Sequence, residues 1–116
     1  MQRDDTELKK IESEFEDIYK SNLDFNSKIQ KLNEKFFQYA KKFNLLADDR
    51  SLSIIRTNYS VFFEKIIENE FNNKTDLDKL KKITEENEIL PNGFKSSIIV
   101  KIAFAKSKKY IFQNRN

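Results

Sequence analysis

From Leu8 to Leu46, large apolar residues recur at alternating spacings of three and four. The series runs Leu8, Ile11, Phe15, Ile18, then Phe25, Ile29, Leu32, Phe36, Tyr39, Phe43 and Leu46, with Asn22 as its one polar member. A period near 3.5 is that of a coiled-coil-like helical seam. Two structures satisfy it. One is a single helix from about Asp4 to Ala47, roughly 65 Å long at a rise of about 1.5 Å per residue. The other is a helical hairpin broken near Ser21-Asn22-Leu23-Asp24, where Ser21 and Asp24 have the spacing of a capping box. The unbroken phase favours continuity, whereas helices of that length are uncommon in ordinary domains. We expect the hairpin or a sharp kink. A buried Asn22 would also fix the register of a homodimer formed through this seam.

Beyond the seam the pattern predicts three further helices. Leu45 to Ser51 is a connection, with Asp48 or Asp49 as the next N-cap. A helix from about Ser51 to Phe71 carries Leu52, Ile55, Tyr59, Phe62 and Ile66 on its inner stripe, widened by Phe63, Ile67 and Phe71. Two rows of large side chains suit a helix held between two neighbours. Thr75 and Asp78 have capping-box spacing and open a short helix with Leu77, Leu80 and Ile83, reaching about Asn87. Ile89-Leu90-Pro91-Asn92-Gly93 stops it, because proline disfavours helix in the residue before it. The last segment, Phe94 to Phe112, is expected to be helical. It is apolar nearly all round in its middle, which predicts burial among the other helices.

Composition sets the fold class. Gly93 and Pro91 are the only glycine and proline in 116 residues. Sheets joined by tight turns need several residues that tolerate positive φ; helices joined by polar loops do not. The fold expected is therefore all-α, a four- to five-helix bundle of up-down topology forming one domain over 1–116, with one long N-terminal helix as the variant. Charged residues make up 35% of the chain, which fits helices with solvated outer faces. Without cysteine there is neither a disulfide nor a thiolate metal site. No stretch approaches the ~18 apolar residues of a membrane span, and Met1-Gln2-Arg3-Asp4-Asp5 lacks the apolar core of a signal peptide. A soluble protein is expected, either cytoplasmic or a trimmed cell-surface ectodomain. The richness in Lys, Asn, Ile and Phe marks an A/T-rich genome, so the sequons at Asn58-Tyr59-Ser60 and Asn73-Lys74-Thr75 are read as chance.

Charge is unevenly placed within the net +3. Residues 1–20 carry seven acids and four bases, whereas residues 94–116 carry six bases (Lys95, Lys101, Lys106, Lys108, Lys109 and Arg115) and no acid. Acid at the first helix's start and base at the last helix's end suit the helix dipoles, and the two termini can neutralise one another. The sharper alternative is a basic patch for nucleic acid or an anionic membrane, with Tyr110 beside the lysines.

Candidate chemistry is sparse. There is no His and no Cys, so the common general base, the thiol nucleophile and the Ser-His-Asp and Cys-His arrangements are excluded. One glycine cannot build a phosphate loop or a dinucleotide turn. Glu12/Glu16 and Glu64/Glu68 stand four apart, as two metal ligands on one helix face would, but lack the His that carboxylate-bridged bundles add three residues after a Glu. No enzyme activity, cofactor or metal is expected.

The run Ile111-Phe112-Gln113-Asn114-Arg115 resembles the Trp-Phe-Gln-Asn-Arg signature of the homeodomain recognition helix over Phe112 to Arg115. Ile111 stands where that family's core Trp belongs, and the spacing back to a first helix is too long. The match is read as chance.

What remains is a non-catalytic helical interaction protein that binds another protein. Phe37, Val61 and Phe104 lie off the main stripes and are the candidate partner contacts; otherwise they thicken the core. In size and composition the chain is similar to the ectodomains of small helical surface lipoproteins of Borrelia-type spirochaetes. It is also similar to cytoplasmic bacteriocin-immunity proteins, which are basic, cysteine-poor four-helix bundles. A phage-encoded inhibitor of a host system is a third setting. None of these resemblances carries a motif, and no residue role is transferred.

Overall fold

The computed structural model describes residues 6–73 and 75–113, with side chains as far as Lys109. The described residues form five α-helices and no strand: α1 (Thr6–Lys20), α2 (Phe25–Leu45), α3 (Asp49–Asn69), α4 (Leu77–Glu86) and α5 (Asn92–Gln113), with a 3-10 turn at Glu70–Asn72. The protein is all-α. It divides into two compact units, 1–66 and 67–116, and the division falls within α3.

In the first unit the single long helix is not found. The seam breaks where the capping signal stands, but Asp24 is itself the N-cap and not the reciprocal partner of Ser21. Its carboxylate accepts a hydrogen bond from the Ser27 amide at 2.7 Å, while the Ser21 hydroxyl donates back to the Ile18 carbonyl at 2.7 Å. Lys28 reaches the Tyr19 carbonyl at 2.8 Å and closes the end of α1. Asn22 lies exposed in the connection and occupies no seam position. The seam is satisfied by folding back: Lys42 pairs with Glu7, and Lys35 and Tyr39 both meet Glu14, so α1 and α2 run antiparallel. Leu8, Ile11 and Phe15 of α1 and Leu32, Phe36 and Phe43 of α2 are buried, as the seam predicts.

Tyr59 of α3 ties this unit together. Its ring meets Phe15 of α1 edge-on at 6.3 Å, Phe36 of α2 at 5.3 Å and Phe63 of its own helix at 5.9 Å. Its hydroxyl hydrogen-bonds the Asn33 side chain. Within this unit α3 thus meets two neighbours, α1 and α2.

The α2–α3 turn is a Schellman motif, with Asp48 N–H bonded to the Phe43 carbonyl at 2.9 Å and Ala47 N–H to Asn44 at 3.0 Å. Asp48 then caps α3 by accepting from the Ser51 amide at 3.1 Å. The motif requires a left-handed residue, and here it is Ala47 at φ 51°. An L side chain at that conformation costs about 1–2 kcal/mol. Ala47→Gly is therefore expected to raise stability by about 1 kcal/mol, the gain trimmed by the greater freedom of glycine in the unfolded chain. Chemical denaturation of the two proteins measures it; a loss of stability would refute the strain.

In the second unit α4 and α5 pack antiparallel, Lys95 reaching the Glu85 carbonyl and Lys106 reaching Asp78. The cap of α4 is Asp76, accepting from the Asp78 amide at 2.9 Å, and not Thr75, whose hydroxyl binds Glu70. Asn87 ends α4, its side chain accepting from the Ile89 and Leu90 amides at 2.7 and 2.9 Å. Ile89 and Leu90 are themselves buried. The stop is shorter than the sequence suggests. Pro91 offers its carbonyl to the Lys95 amide at 3.0 Å, so α5 begins at Asn92 and Gly93 lies in its first turn. Within α5 only Ile98 and Ile102 are buried among the residues whose side chains are described. The expected all-round burial is not found, because one apolar row suffices for its neighbours.

Candidate interaction surfaces

Apart from Leu23 in the α1–α2 connection, the large apolar side chains left in solvent among the described residues lie on or at the end of α2 and on α5. In the first unit Phe37 is 56% exposed and stands edge-on to Phe36 at 5.7 Å. One and two turns further on the same side come Lys41 and Leu45, the latter 78% exposed, and then Leu46. Leu45 and Leu46 border a hollow of about 380 Å³ together with Gln38, Lys41 and Lys42. Leu46 closes the apolar series in the sequence, yet it stands at the C-cap, beyond the reach of α1.

In the second unit Phe104 is 66% and Val100 52% exposed, one turn apart on α5. Phe104, Phe71 and Ala105 wall a groove of about 500 Å³ whose rim carries Lys101, Lys108 and Lys109. Of the three contacts expected from the sequence, Phe37 and Phe104 are thus on the surface and not in the core. Val61 is only partly exposed. Leu45, Leu46, Val100 and Phe71 do not stand out in the sequence. A signal for Val100 exists: it stands one turn before Phe104, and the row Ser96, Ser97, Ser107 around the pair contains no charge.

The basic segment is largely engaged. Lys101 pairs with Glu68 at 2.7 Å and Lys106 with Asp78 at 2.5 Å, while Lys95 and Lys109 donate to the Glu85 and Asn73 carbonyls at 3.2 and 3.3 Å. The hydrogen bond and charge of Lys106 hold the Asp78 carboxyl below its ordinary range, and Asp78 raises Lys106 in return. Lys108 makes no ion pair among the described residues. Arg115 and the Asn114 of the homeodomain-like run lie outside the described residues, as does the side chain of Tyr110. Of the acids in α1, Glu16 pairs with Lys20 at 2.5 Å, and Glu7 and Glu14 meet Lys42 and Lys35 of α2.

In the first unit the Tyr39 phenol is strongly shifted. Burial, then the hydrogen bond to Glu14 at 2.7 Å and the charge of that carboxylate, push the Tyr39 phenol up to about 12. The folded protein keeps this proton to higher pH than the unfolded chain does. Its contribution to stability is complete below the ordinary phenol range near ~10 and is lost as pH climbs towards about 12. Tyr39→Phe should flatten that part of the alkaline stability profile, and the one phenolate lost from an absorbance titration should be lost well above pH ~10. Loss of a phenolate that forms near pH ~10 would show that Tyr39 ionises as an ordinary phenol.

Among the described residues no three carboxylates gather closely enough to hold a metal ion, and no helix is long and apolar enough to cross a membrane. The Asn58 sequon falls inside α3, with Tyr59 and Ser60 buried; a modified asparagine belongs on an open loop. Comparison of the chain with protein-family models, with curated proteins and with solved structures gives no match.

Proposed function

We propose that this protein is a non-catalytic docking protein whose helical surface binds another protein. The observation that carries the reading is the placement of large apolar side chains in solvent. Phe37, Leu45 and Leu46 beside α2, and Val100 and Phe104 on α5, stand exposed in a chain that is 35% charged. Scattered single apolar residues need no explanation, but clusters on one helix face are characteristic of association sites. The absence of His and Cys supports the non-catalytic part.

Binding to nucleic acid or an anionic membrane through Lys95, Lys101, Lys106, Lys108, Lys109 and Arg115 is the weaker alternative. A polyanion is held by several cations that release counterions together, and four of these lysines already have a carboxylate or carbonyl within the unit. As to setting, the ectodomain of a small spirochaete-type surface lipoprotein is the first reading, with a bacteriocin-immunity-like protein or a phage inhibitor as alternatives that size and composition fit as well. An upstream lipobox cysteine, a neighbouring bacteriocin gene or a prophage context distinguishes the three.

Photo-crosslinking residues placed at position 37 or at position 104 of the full chain test the reading in source cells or host serum. A single protein species captured from either position supports it. Capture of nothing but lipid or nucleic acid from both positions refutes it.

A further inference from the structure

The outer face of α5 is uncharged over four turns. Gly93, Ser97, Val100, Phe104 and Ser107 follow one another at spacings of four, three, four and three. This is a second seam, on the side of the helix away from the buried Ile98 and Ile102. Written as heptads with Val100 and Ser107 at d and Ser97 and Phe104 at a, it places both Lys101 and Lys108 at e positions of consecutive heptads. The opposite flank, Ser96 and Ala103 at g, carries no charge. Small residues at the a and d positions let another backbone approach, and Phe104 with Phe71 supplies an apolar anchor point and a groove beside it.

We propose that this face receives an amphipathic helix of a partner protein that carries carboxylates along one edge. Its apolar side chains seat on Val100 and Phe104 and in the groove against Phe71, and its acids lie opposite Lys101 and Lys108. The proposal rests on the docking-protein reading above and names the partner's chemistry at one of its two surfaces.

Charge selects this occupant. Residues at e and g decide which helices pair. A second copy is disfavoured in both orientations. In a parallel pair the lysines at e would face the neutral Ser96 and Ala103 of the other chain, and in an antiparallel pair lysine would face lysine. An acidic edge is the complement in either orientation. Lys101 is already paired with Glu68, but both side chains are more than two-fifths exposed. Such a pair contributes little and exchanges partners readily. Lys108 is available without exchange. Two cations in register suit one acidic helix edge better than a lipid surface or a nucleic-acid backbone, each of which draws on a broad field of charge.

The test is titration of the full chain with synthetic three-heptad helical peptides. The first has Leu at a and d and Glu at e and g, the second has Lys in place of Glu, and anionic vesicles and an oligonucleotide duplex serve as further probes. The acidic peptide is expected to bind, with a Kd on the order of 10 µM, and the basic peptide at least about tenfold more weakly. Phe104→Glu should weaken the acidic peptide by about tenfold or more. Lys101→Glu/Lys108→Glu should invert the preference so that the basic peptide binds better. Lys108→Glu alone, which breaks no ion pair among the described residues, should shift the preference in the same direction. Circular dichroism checks that each variant is folded.

The proposal is overturned if neither peptide binds, if both bind alike, or if charge reversal leaves the preference unchanged. It is also overturned if vesicles or duplex bind through Phe104 while the acidic peptide does not, or if sedimentation shows a dimer that Phe104→Glu dissolves. Should position 37 still capture a protein while these peptides fail, the docking reading stands and the assignment of α5 falls.

Discussion

Tyr59→Ala is expected to cost about 4 kcal/mol of stability, in the range of large aromatic truncations in packed cores, and to lower the melting temperature by roughly 15 °C. The reason is the position of the ring and not its size alone. It is the meeting point of Phe15, Phe36 and Phe63, side chains from all three helices of the first unit, at centroid distances of 5.3–6.3 Å. Alanine would remove the buried ring and leave a cavity that none of those neighbours can fill without leaving its own contacts. Tyr59→Phe separates the ring from the hydroxyl. It removes the hydrogen bond to Asn33, a loss of about 1 kcal/mol, since Asn33 is partly exposed and can turn to water. Urea denaturation of the three proteins checks the ordering. If the alanine variant unfolded at nearly the same urea concentration as the native chain, Tyr59 would not be what joins the three helices.

The sequence foretells that α3 is such a hub, because its two rows of large residues are wider than one neighbour needs. It leaves the break in the seam open for a geometric reason. The connection 21–24 spans about one helical turn, so the three-four spacing passes through it without a change of phase. The local chemistry, a carboxylate at Asp24 three residues before Ser27, is what distinguishes a cap from a helix interior. Pro91 reads as the end of α4 in the sequence, although proline is as much at home at the start of a helix as after one, and α5 begins directly behind it. The burial of α5 is smaller than its composition suggests for a different reason. Apolar residues on every side of a helix say that contacts are available, but not how many neighbours the fold supplies. Ile98 and Ile102 find theirs; Val100 and Phe104 do not.

The candidate surfaces are legible to the same degree. Phe37 and Phe104 stand out because they fall off the inner stripes. Leu46 does not, since it continues the stripe in phase and is exposed only because the helix ends there. The run of C-terminal lysines suggests a free basic patch, because its counter-charges are remote in the chain. Glu68 and Asp78 lie 33 and 28 residues from the lysines they meet, and spacing arguments within one helix cannot find them.

Leu80→Ala is expected to cost about 3 kcal/mol and to release α4 in particular. At ten residues, α4 is shorter than the ~12–15 at which even favourable isolated helices become marginal in water, so packing must hold it. Its buried residues are Leu77, Leu80 and Thr84, and Leu80, fully buried at the middle of the helix, is the largest contribution to that packing. Losing it should raise amide exchange across 77–86 well before the rest of the chain responds, because the helix has little else with which to stay folded. Thr84 provides the control. It is equally buried, but its hydroxyl donates to the Leu80 carbonyl of its own helix at 2.9 Å, a carbonyl that already has a backbone partner in a regular helix. Thr84→Val keeps the shape and removes the polar group along with its bond, so it should leave stability within about 0.5 kcal/mol of the native value. Exchange measured by mass spectrometry on both variants decides the matter. Uniform loss of protection in Leu80→Ala would mean that α4 unfolds only with the whole protein, and a large loss in Thr84→Val would mean that its hydroxyl supports more than its own helix.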